Sequence, residues 1–189
     1  MHFKRILGYW IPLVVVASGL CLFTYIGIQQ NYRMNANDPQ IEMAETAADA
    51  LSNGAAIEQV LPSATVKMES SLTPFMMVFD SEGNVLASSA SLNGQTPMVP
   101  EGVLTASLEK GENRVTWQPQ ANVRIAAVIV PYSANGQSGY VLAGRSLKEV
   151  EARINNLTLM LTLTWLCALL TSFATIIFAE YVLLHPKNG

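Results

Sequence analysis

Chemistry at a protein surface needs nucleophiles, bases or metal ligands at workable spacing, and this 189-residue chain scatters its few candidates. The two histidines, His2 and His185, stand at opposite ends, and the two cysteines, Cys21 and Cys167, lie inside long uncharged runs. The segment between those runs holds neither His nor Cys, which removes Ser-His and Cys-His nucleophilic sites and any His/Cys zinc site. Carboxylates are left. Glu42, Glu45 and Asp49 recur at helical spacing with no opposing general acid, the pattern of a solvated helix face. Asp80-Ser-Glu82-Gly83-Asn84 begins like a calcium loop. Its glycine comes early, however, and Ser91 stands where a bidentate Glu should close the loop, so a tight hairpin turn accounts for it. There is no glycine-rich phosphate loop or dinucleotide fingerprint. The expectation is a protein that is not an enzyme and carries no metal or cofactor.

The elements around these residues explain the composition. Only 13% of residues are charged, against about 25% in average soluble domains. The deficit sits in residues 6–32 and 154–179, which carry no charge at all. The first run holds about 23 apolar residues, ~35 Å as helix, enough to cross a ~30 Å hydrocarbon core. It is too long for a signal-peptide core, no small-x-small cleavage site follows it, and Ser18-Gly19-Leu20 before Cys21 is not a lipoprotein site. An uncleaved signal anchor is expected. Lys4 and Arg5 precede it, so the positive-inside rule places both ends of the chain, including Lys187, in the cytoplasm. Residues 33–153 then lie outside, with eight basic and thirteen acidic residues, a net of −5. With no Lys/Arg cluster, nucleic-acid binding is not expected.

The outer segment reads as helices followed by strands. Asp38-Pro39 is a helix-start signal, and Ile41, Ala44, Ala48, Leu51 and Ala55 form one apolar stripe. Asn53-Gly54 ends that helix, and Ile57, Val60 and Leu61 predict a further turn or two. Residues 75–90 predict a hairpin, and 102–108 a short helix. Three more strands follow, in RVTWQP, RIAAVIVPYS and GYVLAGR. This is an α+β domain with helices on one face of an antiparallel sheet and a pocket beneath them. Ser146-Leu147-Lys148-Glu149 is a capping box, and Leu147, Val150, Ile154, Leu157 and Leu161 continue as a heptad-like seam. One helix of about 38 residues, ~57 Å, is expected from the last strand through the second span. Within that span Thr164, Ala168, Ser172, Thr175 and Ala179 form a small-residue stripe suited to close helix packing, and Glu180 follows where it reaches water. Both cysteines read as small packing residues.

The series VFDSEGNVLASS, then Trp117-x-Pro119, then GYVLAGRSLKEVEARI running into a span, resembles the extracytoplasmic sensor region of bacterial two-component histidine kinases. The resemblance covers nearly the whole chain. It implies a PAS/Cache-like α+β fold between two transmembrane helices, in the bacterial inner membrane. It also implies that the later strands line a ligand cavity, with Trp117, Arg124, Tyr132 and Tyr140 as ligand-binding candidates. Arg124 would be the anion anchor, because its planar fork can hold a carboxylate. The competing assignment makes the aromatic residues core and Arg124 solvent-facing, and strand facing is not fixed by one sequence. Ser146, Leu147, Glu149, Val150 and Ile154 are the candidate signal-relay and dimer-seam residues.

The expected organisation is a cytoplasmic N-terminus (1–5), a transmembrane helix (6–28), an extracytoplasmic PAS/Cache-like sensor domain (29–156), a second transmembrane helix (157–180) and a cytoplasmic C-terminus (181–189). The departure from the family is the absence of a HAMP linker or kinase after Pro186. The expectation is a two-pass sensor that detects a small ligand or partner and relays it without its own kinase. Its partners would be the bilayer, a second copy, and a separate kinase or other membrane protein. The alternatives are an accessory or scaffold subunit that binds a protein partner, or a truncated histidine kinase remnant.

Overall fold

The computed structural model describes residues 2–35, 38–100, 102–134 and 136–183, without the side chains of His2, Arg33, Asn35, Asp38 and Leu183. His185, Pro186 and Lys187, and the Asp38 side chain expected to cap a helix, lie outside the description. Along the chain the elements are α1 (His2–Asn35), α2 (Asp38–Ser52), α3 (Ile57–Val60), β1 (Val66–Lys67), β2 (Phe75–Asp80), β3 (Val85–Ser88) and β4 (Ala90–Ser91). They continue as α4 (Ala106–Lys110), β5 (Asn113–Gln120), β6 (Val123–Ala134), β7 (Gln137–Ser146), α5 (Lys148–Phe178) and a π-helical turn (Ala179–Leu183). Contacts divide the chain into two compact units, residues 33–151 and residues 1–32 with 152–189.

In the 33–151 unit, five strands form one sheet in the order β3-β2-β7-β6-β5, every neighbouring pair antiparallel. The long β6–β7 hairpin pairs from Ile125↔Ser146 to Ala134↔Gln137 and carries the two outer strand pairs on either side. Pro131 sits in β6 beyond the β5 partner of Ile129, so its missing N–H falls where no strand pairs on that side. The hairpin expected at 75–90 is present as β2 and β3. The short helix expected at 102–108 begins at Ala106 instead. A two-residue parallel pairing of β1 with β4 was not anticipated.

Strand alternation sorts the core onto both faces of the sheet. Ala44, Ala47, Ala48 and Leu51 of α2 pack on Val78, Val128 and Val141, the alanines letting the helix axis come close. The opposite face buries Phe75, Met77, Phe79, Ile125 and Leu142 under β1, β4 and the segment leading into α4. The sheet is therefore covered on two sides rather than only by the N-terminal helices. Gly144 permits one close crossing: a Cβ there would lie 2.4 Å from Cζ of Phe75.

In the other unit, α1 and α5 run antiparallel. Trp10 Nε1 donates to Ser172 Oγ at 3.1 Å and its ring meets Phe173 edge-on at 5.2 Å, while Trp165 Nε1 donates to Ser18 Oγ at 2.9 Å. Of the small-residue stripe, Ala168, Ser172 and Ala179 are half-buried, and Ser172 meets α1. Indole rings stand opposite Ser172 and Ser18, and Thr164 and Thr175 are exposed, donating back to carbonyls of their own helix. Phe3–Tyr32 and Lys148–Val182 are both long and apolar enough to cross a membrane, with mean hydropathy 2.2 and 2.0.

Candidate functional site

The four ligand-binding candidates are not brought together. Trp117 of β5 and Tyr140 of β7 are buried in the core on the face away from α2. Arg124 and Tyr132 of β6 belong by alternation to the opposite face, where Tyr132 packs at the edge of the α2 cluster. The physical reason is strand facing, which the sequence left open: Trp117 pairs with Ile125, so Arg124 next to it points the other way. Tyr132 O–H approaches the carbonyl of Phe79 at 3.5 Å. Burial, with the charge of Asp80 as a lesser cause, raises its phenol above the ordinary range. It passes over Gly139, where a Cβ would lie 2.8 Å from the tyrosine ring.

Arg124 has a different role. Its Nη1 donates to Glu151 Oε1 at 2.5 Å, and its carbonyl accepts the Leu147 N–H at 2.8 Å. Arg145 of β7 donates through Nη2 to Glu149 Oε2 at 2.8 Å and through Nε to the Leu72 carbonyl at 3.1 Å. Ser146 Oγ accepts the Lys148 N–H at 3.3 Å, one residue short of the expected capping-box partner Glu149, whose carboxylate is engaged by Arg145. The first turn of α5 is thus tied to two neighbouring strands, β6 and β7, through two arginines and one backbone bond. Its acidic residues sit where the helix dipole favours negative charge, so pairing and dipole act together. Exposed pairs of this kind contribute roughly 0–1 kcal/mol each, so they fix direction more than stability.

The relay candidates follow from that root. Leu147, Val150, Ile154, Leu157 and Leu161 are half-buried, while Asn155, Asn156, Thr158, Leu159 and Met160 between them are exposed. Within the helical-pair unit, Leu161 shares a cleft with Cys21, Leu22 and Tyr25 of α1, so that part of the seam faces α1. Glu180, expected to reach water, is only 3% exposed: Arg5 grips it through Nε, at 3.1 Å, and through Nη2. Arg5, read from the sequence as a topology signal, is its partner. One acidic and one basic residue at matching ends of antiparallel helices were the available clue.

Two of the cavities in the 33–151 unit reach residues of the sheet. One, of about 520 Å³, lies between α2, α3 and Met76, under the N-terminal helices as expected. The other, of about 500 Å³, runs between all of β3 and residues 96–99, with Phe79 and Leu104 at its base. None of the four candidates lines either one. The hairpin turn is self-contained: Asp80 Oδ1 accepts the Glu82 and Asn84 N–H groups at 2.9 and 2.8 Å, and Oδ2 accepts from the Asn84 amide at 2.9 Å. The Asn84 side chain, then the turn amides, hold the Asp80 carboxyl below its ordinary range. Sequence reasoning missed Gln40, whose amide is fully buried with neither Oε1 nor Nε2 hydrogen-bonded among the described residues. Compared with known proteins, the chain matches no protein-family model and no curated protein.

Proposed function

We propose that the protein is a two-pass membrane sensor. In this reading residues 33–151 form a PAS/Cache-like extracytoplasmic input domain, and α5 carries its state across the bacterial inner membrane to a cytoplasmic output. The observation that carries the reading is the root of α5. A helix that only anchored a domain would need a peptide link, whereas here Arg124 and Arg145 engage Glu151 and Glu149 from two adjacent strands. A shift between β6 and β7 would therefore tilt or rotate the first turn of α5. Orientation follows from Lys4 and Arg5, which place both termini in the cytoplasm. Enzymatic activity is not part of this reading.

The test uses the full chain in lipid nanodiscs, with amide hydrogen exchange read against a panel of small metabolites. A compound that slows exchange in the sheet should also change it at Leu147, Glu151 and Ile154. In an Arg124→Ala, Arg145→Ala chain the sheet should still respond while α5 does not. A compound that protects the sheet of the parent chain and leaves α5 unchanged refutes the relay. A second reading, an accessory subunit that docks a protein partner, is favoured by the apolar side chains Val85, Leu86 and Met98 standing in solvent.

A further inference from the structure

We propose that the free edge of β3 is a docking slot for an extended, uncharged segment of a partner protein, added to the sheet as a sixth strand. The proposal names the partner for the input domain and rests on that reading. The two edges of the sheet differ in how they are protected. β5 carries Pro119 and Arg114, the latter ion-paired with Glu112, and such residues discourage a further strand. β3 is Val-Leu-Ala-Ser, with neither proline nor charge. Just beyond it, the Ser89 carbonyl accepts the Val66 N–H at 2.7 Å, so β1 already covers the continuation of this edge. Residues 85–88 are the stretch β1 leaves uncovered.

The ladder fixes which backbone groups are free. Ser89 N–H donates to the Met76 carbonyl at 2.9 Å, and Asp80 N–H donates to the Asn84 carbonyl at 3.0 Å. Between these bonds, alternation turns the N–H and C=O of Ser88, opposite Met77, and of Val85, opposite Phe79, away from β2. The register shift between them accommodates Leu86, which is 50% exposed. In front of this edge stands the second wall, residues 96–99, and the cavity between them is about 500 Å³. Four residues of strand span about 13 Å, so the slot takes a segment of roughly that length. Among the described residues no charged side chain lines it, and Val85 and Met98, 43% and 88% exposed, offer apolar walls. A row of outward peptide groups between apolar walls matches an extended chain of alternating side chains. A second copy of this chain is the rival occupant, and dilution separates the two.

The probe is a capped five-residue peptide of alternating threonine and valine, added to the full chain in nanodiscs, with amide exchange read by NMR. Val85 and Ser88 amides should exchange freely alone and slow at least tenfold with peptide. Two N-methylated versions, one blocked at the valines and one at the threonines, separate backbone pairing from greasy adhesion. One should lose the effect and the other keep it. Equal protection by both, or none at millimolar peptide, overturns the slot. Protection in the free chain that falls on dilution means that a second copy occupies the edge, and also overturns it. The amides of Leu147 and Glu151 are read in the same experiment. Protection at β3 with no change there upholds the slot and fails the sensor, whereas a metabolite response at α5 without peptide protection does the reverse.

Discussion

Replacing Gln40 by methionine should stabilise the 33–151 unit. Gln40 lies in the first turns of α2, fully buried, and neither end of its amide has a partner among the described residues. An unpaired buried amide costs about 1–3 kcal/mol on the scale of protein mutations. Methionine keeps the length and flexibility of the side chain and has a comparable helix propensity, so the change removes the polar penalty with little cavity or strain. The expected gain is about 1–3 kcal/mol, or roughly a 5- to 150-fold slowing of the slowest amides. The measurement is native-state hydrogen exchange at Val128, Val141 and Ala143 in the full chain, three residues packed in the α2 cluster. Gln40→Ala is the control, since it removes the amide but leaves a void and should gain less or lose. Faster exchange in Gln40→Met would sink the reasoning, because it would mean that the amide is hydrogen-bonded in the folded protein.

Two further outcomes follow from local geometry. Gly144→Ala should destabilise the sheet by about 1–3 kcal/mol, since the added Cβ meets the Phe75 ring at 2.4 Å and backbone is held by strands on both sides. Combining it with Phe75→Leu should recover part of that loss, and the same amides report it. The hairpin turn should be indifferent to pH down to the acid range. Asp80 has a folded pKa below its unfolded value, so its contribution is complete above the ordinary aspartate range and disappears as pH falls through the lowered folded value. Asn84 amide protection should hold from neutral pH to about pH 4 and drop below it. Asp80→Asn keeps an oxygen acceptor, so it should retain the turn and abolish the drop. A drop beginning near pH 6 would contradict this account.

The sequence was legible wherever local pattern decides structure. The turn at Asp80–Asn84, the three long strands and the stripe of α2 all depend on near neighbours, and they are where the pattern put them. What was not legible depends on facing. RIAAVIVPYS predicts a strand without saying whether Arg124 or Ile125 looks toward the helices, because both neighbours of each are compatible with burial on one side. Only the register Trp117↔Ile125 settles that, and it moves Arg124 from a presumed cavity to the root of α5. The same limit hid the second covered face: Ala90, Leu92, Val99, Val103 and Leu104 follow no clear period, and they join the core only through the cluster that holds Phe79 and Leu142. Arg5 with Glu180 was hidden by distance along the chain rather than by chemistry.

Charge placement on α5 gives the helix a particular mechanical character. Its acidic residues cluster at its ends, Glu149 and Glu151 in the first turn and Glu180 in the π-helical turn after the last, and each meets an arginine from another element. Between them, hydroxyls of Thr158, Thr162 and Thr171 return to carbonyls of the same helix, and two indole–serine bonds reach α1. Hydroxyls satisfied within their own helix set no register against a neighbour, whereas a directional ion pair does. Register against α1 is therefore set by Arg5 with Glu180 and by the two indole–serine bonds, and the threonines add nothing to it. The π-helical turn adds to this, since a one-residue change of pitch alters which side Glu180 presents. In the sensor we propose, these directional contacts are the ones through which a displacement at the root of α5 would be read at Glu180.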